Sequence, residues 1–214
     1  MYLYFIRHGE TDWNTVRRLQ GGSDIPLNEQ GIRLAQMTAE AMKDIPFHRI
    51  FTSPLIRAKE TARIIKGDRD IPVIEDQRLR EISFGVLEGK IYNPQKGIVE
   101  APQLEKFFEH PEQYQCPEEG ESIPHLLERT ADFLQELVHT PSFEEETILI
   151  SCHGAALRGL LASVKHVELK DFWKGGVHKN CAVSILEAHH GVITILEEGK
   201  IYYESYKTGN CRDL

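Results

Sequence analysis

The chain has 214 residues, of which 41% are hydrophobic and 27% charged, and a formal net charge of -8 at neutral pH. That length builds one large domain or two small ones, with a core that needs no covalent staples. The acidic balance excludes sequence-independent nucleic-acid binding, which requires a broad basic surface, so an anion site here has to be made from a few well-placed cations. Four cysteines, Cys116, Cys152, Cys181 and Cys211, form no C-x-x-C pair and no dense framework, which points to a reducing cytoplasm without disulfides. The apolar N-terminus ends at Arg7 and has no basic flank. It is too short for a signal peptide, and no later run approaches the ~18 apolar residues of a membrane span, so the chain is read as soluble and unexported.

The first predicted element is a buried strand over residues 2–6 that stops abruptly at Arg7-His8-Gly9-Glu10. Ligands of open α/β sheets sit at strand ends. Arg7 offers a fork of donors suited to phosphate or carboxylate, His8 a ring that is nucleophilic when neutral, and Gly9 a place for the backbone to turn and a ligand to approach. The stretch therefore reads either as a strand end with solvated charges or as a nucleophile beside an anion clamp. The rest of the chain has to decide. Residues 13–19 are predicted as a short helix, followed by a glycine-marked loop at Gly21-Gly22-Ser23-Asp24 that returns toward the strand end. Asn28 caps a helix whose apolar positions Leu34, Ala35, Thr38, Ala41, Met42 and Ile45 share one face, and Pro46 stops it.

A second strand covers residues 48–52, and Ser53-Pro54 is predicted to start a helix as cap and first-turn proline, with Arg57 about one turn in and level with Arg7 if the strands are parallel. Ala58, Ala62 and Ile65 face the sheet. Val73 and Ile74 form a third strand, after which Glu81 sits beside apolar residues on a connection. Residues 90–120 hold four prolines, several glutamates and the aromatics Tyr92, Phe107, Phe108 and Tyr114 without one period, which predicts a lid or insertion rather than a linker. Ser122 caps a helix with Ile123, Leu126, Leu127, Thr130, Phe133, Leu134 and Leu137 on one face. Residues 147–152 are a near-continuous apolar strand ending at His153-Gly154, before a helix through Ala155, Leu157, Leu160, Leu161 and Val164. Residues 181–187 and 192–197 flank His189-His190-Gly191 as a hairpin that closes the sheet, with a polar tail after Tyr206. The whole, 1–214, reads as a single α/β domain with residues 90–120 as its lid, and carries no signal for an oligomeric state.

Three strand ends thus present Arg7-His8, Arg57 and His153, and Glu81 follows the third strand. The stretches Phe5-Ile6-Arg7-His8-Gly9-Glu10-Thr11, Thr52-Ser53-Pro54 with Arg57-Ala58 and Glu60-Thr61-Ala62, Leu79-Arg80-Glu81-Ile82 with Gly85 and Glu88-Gly89, Gly120-Glu121-Ser122, and Ser151-Cys152-His153-Gly154 resemble, in order and across nearly the whole chain, the histidine phosphatase superfamily, also called phosphoglycerate mutase-like. The resemblance implies a three-layer α/β/α fold with a mostly parallel central sheet. It also implies that His8 takes the phosphoryl group, that Arg7, Arg57 and His153 line the phosphate pocket, and that Glu81 donates a proton. Asn14 matches a polar residue that reaches the phosphate, and Ser23 lies, more loosely, where members contact the substrate.

The chemistry asks for these residue types in any case. A neutral imidazole attacks phosphorus without a metal if its other nitrogen is held by an acceptor, for which a backbone carbonyl is expected. Cationic and imidazole donors stabilise charge spread over the three equatorial oxygens, and an acid protonates the leaving oxygen if it is itself protonated near neutral pH. No cofactor is expected. The remaining histidines, His48, His110, His125, His139, His166, His178, His189 and His190, show no ligand spacing, so no metal is expected either. The expected partner is a small-molecule phosphomonoester, with neither nucleic acid nor membrane.

Rival readings exist. Cys152 and Arg158 fit the C-x5-R spacing of cysteine-dependent phosphatases, but the loop has one glycine, Arg158 falls on an apolar helix, and Arg7, His8 and Arg57 would be left unused. Glu10 reads either as an aid to proton movement or as a charge partner for an arginine. Tyr92, Phe107, Phe108 and Tyr114 read as lid packing, Lys90 and Lys96 as solvated or as contacts to a substrate anion. A phosphate-binding module without turnover needs neither Glu81 nor an open His8. A phosphomutase wants extra cations to hold a diphosphorylated intermediate, whereas residues 90–120 carry only Lys90, Lys96 and Lys106 among an excess of glutamates. This favours hydrolysis.

Overall fold

The computed structural model describes residues 1–203; the tail after Tyr206 and Cys211 lie outside the described residues. A six-stranded sheet has the order β3-β2-β6-β1-β7-β8, formed by β1 (Tyr2–Arg7), β2 (Arg49–Thr52), β3 (Val73–Glu75), β6 (Thr147–Cys152), β7 (Val183–His189) and β8 (Val192–Lys200). The first four of these are mutually parallel, and β7 and β8 add an antiparallel hairpin beside β1. A separate two-stranded ribbon pairs β4 (Tyr92–Asn93) with β5 (Ile98–Val99).

Strand alternation divides the core into the two layers that flank the sheet. Leu3 and Phe5 of β1, with Ile148, Ile150 and Cys152 of β6, meet α5 (Ile123–Val138) and α6 (Gly154–Lys165). Ile6 and Leu149 face the other way, onto Leu34 and Ala35 of α2 (Glu29–Ala41) and Ala62 and Ile65 of α3 (Ile56–Lys66). This is the expected α/β/α arrangement. All six residues of β6 are buried, as its continuous apolar run requires of a strand covered on both faces.

The predicted caps at Asn28 and Ser122 hold: their side chains accept the N–H groups of Gly31 and His125. Three local expectations change. The helix after β1, α1 (Asp12–Thr15), closes early, because Arg17 adopts φ 53° and the chain then pairs Arg18 with Ile91. α2 ends at Ala41, which is exposed rather than part of the buried face, ahead of the turn that leads to Pro46. Ser53 does not cap α3, which begins at Ile56 with no side-chain cap; Ser53 is used elsewhere. Residues 90–120 contain α4 (Leu104–Glu109), whose Phe107 sits among Phe84, Phe108, Tyr114 and Trp173 with ring centroids 4.9–5.2 Å apart.

Candidate active site

Parallel pairing brings the strand ends to one place. Arg7 is level with Cys152 and Thr52 with Ser151, and the ladder continues one residue further: His8 N–H donates to Cys152 O (2.9 Å) and Ser53 N–H to Ser151 O (3.0 Å). His8, Ser53 and His153 therefore converge, with the rings of His8 and His153 5.2 Å apart.

His8 is 2% exposed, and its Nδ1 lies 2.6 Å from the carbonyl oxygen of Gly9. A carbonyl only accepts, so Nδ1 carries the proton and Nε2 the lone pair. Asn180 supports this turn by donating Nδ2–H to the carbonyls of His8 (3.0 Å) and Gly9 (3.2 Å). Burial, then Arg57 and Arg7, hold the His8 pKa well below 6.5, against the pull of the Gly9 carbonyl, so the ring is neutral at neutral pH. Gly9 itself serves packing rather than a turn. A Cβ there would stand 2.7 Å from Gly31 O, so its hydrogen lets the first turn of α2 press against the loop, while Thr61 Oγ1 accepts the Gly9 N–H at 2.9 Å.

Both arginines are gripped at the far end of the guanidinium. Arg57 donates to Ser23 O (2.7 Å) and Gly21 O (2.8 Å), and Arg7 to His178 O. Their Nε groups are buried and have no hydrogen-bond partner among the described residues, and the same holds for Nδ1 of His153. Burial lowers the pKa of Arg7, and that of Arg57 to about 10, with Glu81 opposing in both; each remains a cation at neutral pH. His153 is fully buried, with Nε2 2.7 Å from Ser53 Oγ, which accepts the Leu55 N–H at 3.3 Å. Directing the Ser53 proton at Nε2 satisfies both groups and leaves the ring proton on Nδ1. Burial and then Arg57 keep His153 well below the usual imidazole range, so it is a neutral donor.

Glu81 lies at the N-terminus of α6. Its carboxylate accepts N–H from Ala155 and Ala156 at 3.1 Å and from Ile82 at 3.0 Å. A Cβ on Gly154 would stand 3.6 Å from Glu81 Oε2 and 3.8 Å from Arg7 Nε, which shows how near the carboxylate and the free edge of Arg7 come. Two histidines, two arginines and Glu81 thus gather at one end of the sheet, and the buried N–H donors of Arg7, Arg57 and His153 are of the kind that suits a tetrahedral oxyanion.

The other predicted contacts are placed less directly. Asn14 Oδ1 accepts Thr11 N–H at 3.1 Å in a capping box and lies 3.5 Å from Asn180 Nδ2. Ser23 meets the pocket through its carbonyl on Arg57, while its hydroxyl donates to Glu88 Oε2 at 2.6 Å. Glu88 Oε1 also accepts the N–H of Gly22 at 2.7 Å and of Phe84 at 3.2 Å, fastening the loop that holds Arg57. Glu10 accepts from the Asn28 amide at 3.0 Å and meets no arginine among the described residues. The sequence does not mark Ser53, Thr61, Glu88 or Asn180 as site residues. Ser53, Thr61 and Glu88 lie within the motif stretches, whereas nothing local marks Asn180.

The C-x5-R reading fails on geometry. Cys152 is fully buried in the apolar layer, where burial and Glu81 push its thiol up. Arg158 spends its donors on Phe172 O (2.9 and 3.1 Å), Lys174 O (2.6 Å) and Glu198 (3.2 Å). Beside the site opens a cavity of about 560 Å³ lined by Arg80, Glu81, Ser83, Glu121, His125 and Arg129 among others, to which residues 90–120 contribute only Cys116 and Gly120. Lys90 and Lys96 are exposed. Among the described residues no three His, Cys, Asp or Glu side chains gather as a metal-holding group, and no helix is long and apolar enough to cross a membrane.

A mostly parallel six-stranded sheet with helices on both faces, carrying two buried histidines and two arginines at its strand ends, is a phosphoglycerate mutase-like fold. The family model of the histidine phosphatase superfamily (branch 1) matches residues 3–199, and the chain belongs to that superfamily. A probable phosphoglycerate mutase, GpmB, of Proteus mirabilis is 38% identical over 164 residues, 77% of this chain and 74% of the relative. Among solved structures, YhfR of Bacillus stearothermophilus superposes with a TM-score of 0.85 at 35% identity, covering 94% of this chain and 97% of that one. A phosphoserine phosphatase of Entamoeba histolytica, solved with phosphoserine, gives 0.78 at 28% identity over 94% and 97%.

Proposed function

We propose that this protein is a phosphomonoester hydrolase that transfers the phosphoryl group of a small phosphorylated metabolite to Nε2 of His8 and then to water. In the first step the P–N bond forms as the ester P–O bond breaks, with Arg7, Arg57 and His153 donating to the equatorial oxygens and Glu81 giving a proton to the leaving oxygen. In the second, water attacks phosphorus, Glu81 takes a proton from it, and the P–N bond breaks. Arg7 and Arg57 supply the positive charge, so no metal ion or cofactor enters either step. Asn14 and Ser23 border the phosphate, Ser23 by holding Arg57, and residues 90–120 cover one side of the single domain. The observation that carries this reading is a buried His8 whose Nδ1 lies 2.6 Å from the Gly9 carbonyl, near His153, Arg57 and Arg7, each of which keeps a buried donor with no partner among the described residues. The likeness to a phosphoserine phosphatase supports hydrolysis, and that to a probable phosphoglycerate mutase keeps phosphomutase chemistry as the alternative.

The test is phosphate release from a panel of phosphomonoesters in the presence of EDTA, with acid-labile phosphoenzyme sought by rapid quench. Wild-type protein is expected to turn over and to trap one phosphoryl group, Cys152→Ser to retain turnover, and His8→Ala to lose both. Turnover by His8→Ala, or a folded but dead Cys152→Ser, overturns the histidine mechanism. Interconversion of phosphoglycerates without phosphate release would select the mutase.

A further inference from the structure

We propose that Arg80 is a specificity-determining residue that reads a carboxylate on the leaving group; this rests on the hydrolase reading above. Of the catalytic set, only Glu81 lines the 560 Å³ cavity, while His8, Arg7, Arg57 and His153 do not. A cavity that touches the proton donor and not the nucleophile lies on the side from which the leaving group departs. Whatever charge lines it therefore acts on the part of the substrate that differs between esters.

The acidic and basic side chains facing this cavity are Arg80, Glu81, Glu121, His125 and Arg129, and all but one are committed. Glu121 is held by Arg129 through two contacts of 2.6 and 2.7 Å and by His125 Nδ1 at 2.6 Å. Arg129 gives its remaining terminal nitrogen to Arg78 O at 2.6 Å. Glu81 is engaged by the N-terminus of α6. Arg80 is different: half-buried, with one contact of 3.5 Å to Gly22 O and no ion pair among the described residues. Its NH2 lies 3.3 Å from where a Cβ of Gly22 would be, so it stands between the loop holding Arg57 and the cavity. The capped N-terminus of α5 opens on the same space through Glu121, Ser122 and His125, adding a favourable field for an anion. One guanidinium matches the charge and planar fork of one carboxylate. A second phosphate dianion would leave charge unmatched beside Glu81 and Glu121.

The test uses 3-phosphoglycerate and glycerol 3-phosphate, which differ only by carboxylate against hydroxymethyl. Wild-type protein is expected to favour the former in kcat/KM, and Arg80→Ala to lower that ratio roughly 10–100-fold, mainly through KM, with Arg80→Lys between them. Calorimetric binding of both esters to His8→Ala, with and without Arg80→Ala, reads the same preference without turnover. A ratio unmoved by Arg80→Ala in folded protein overturns the proposal while leaving hydrolysis standing. A binding preference that depends on Arg80, in a wild-type protein that releases phosphate from no ester, supports Arg80 and removes the hydrolase reading instead.

Discussion

The hydroxyl of Ser53 stands 2.7 Å from Nε2 of His153, so the residue that follows β2 sets the tautomer of the residue that follows β6. A neutral ring helps an anion only from its protonated nitrogen, and the unpartnered Nδ1 of His153 is that nitrogen. Ser53→Ala is expected to lower kcat/KM about 5–20-fold, as for loss of one to two kcal/mol of oriented hydrogen bonding, with Ser53→Thr restoring most of it. Steady-state kinetics on p-nitrophenyl phosphate checks this. Full activity in Ser53→Ala would show that His153 is oriented without Ser53.

Glu88 acts on the pocket through Arg57. Its carboxylate accepts from Gly22 N–H, Ser23 hydroxyl and Phe84 N–H, and the same loop turns the Gly21 and Ser23 carbonyls onto Arg57. Glu88→Gln replaces one acceptor oxygen by a donor, leaving either the Gly22 or the Ser23 side unmatched. We expect kcat/KM to fall roughly 10–100-fold with inhibition by inorganic phosphate weakened in parallel. Unchanged phosphate inhibition would separate Glu88 from the clamp.

Much of this was legible in the sequence because the site lies on parallel strand ends. Once residues 2–6, 48–52 and 147–152 are read as strands, His8, Arg57 and His153 fall together by topology, and the period of α2 and α5 fixes which faces are buried. What stayed hidden is supplied by main-chain atoms or by distant segments. The carbonyls of Gly21, Ser23 and His178 hold the arginines, and carbonyls carry no residue signature. Asn180 reaches back to His8 from a loop 172 residues away. Ser53 looked like a helix cap because Ser-Pro is a cap signal, and its side chain bonds His153 instead. The irregular residues 90–120 read as a lid, yet Phe107 and Phe108 pack on Trp173 and only Cys116 and Gly120 of this stretch border the cavity.

A pH effect on stability follows from His178, whose carbonyl anchors Arg7. Burial lowers its pKa to about 4, against the nearby Glu198. Above the unfolded value of 6.5 both states hold a neutral ring. Between 6.5 and about 4 the unfolded chain takes a proton that the native ring refuses, so stability falls as pH falls across that window. Urea unfolding from pH 7 to 4.5 should show a shallower decline in His178→Asn than in wild type, by up to about 1.4 kcal/mol per pH unit. Parallel curves would mean that His178 protonates alike in both states.

Glu81 divides hydrolysis into two steps with different demands. Its place against the N–H groups of Ala155 and Ala156 fixes the carboxylate beside Arg7, and Glu81→Gln keeps the size and an acceptor oxygen while removing the transferable proton. An alkoxide leaves phosphorus poorly without a proton, so turnover of alkyl phosphates should fall by roughly 10²–10⁴-fold, the range for general acid catalysis. A nitrophenolate leaves unaided, so phosphoryl transfer from p-nitrophenyl phosphate to His8 should fall much less. Hydrolysis of the phosphohistidine then becomes slow, because the same carboxylate takes the proton of the attacking water. Stopped-flow absorbance is expected to show a burst of nitrophenol equal to the enzyme present, followed by a slow phase. Equal losses on both substrates without a burst would assign Glu81 to positioning Arg7 and α6, with the proton arriving from another group.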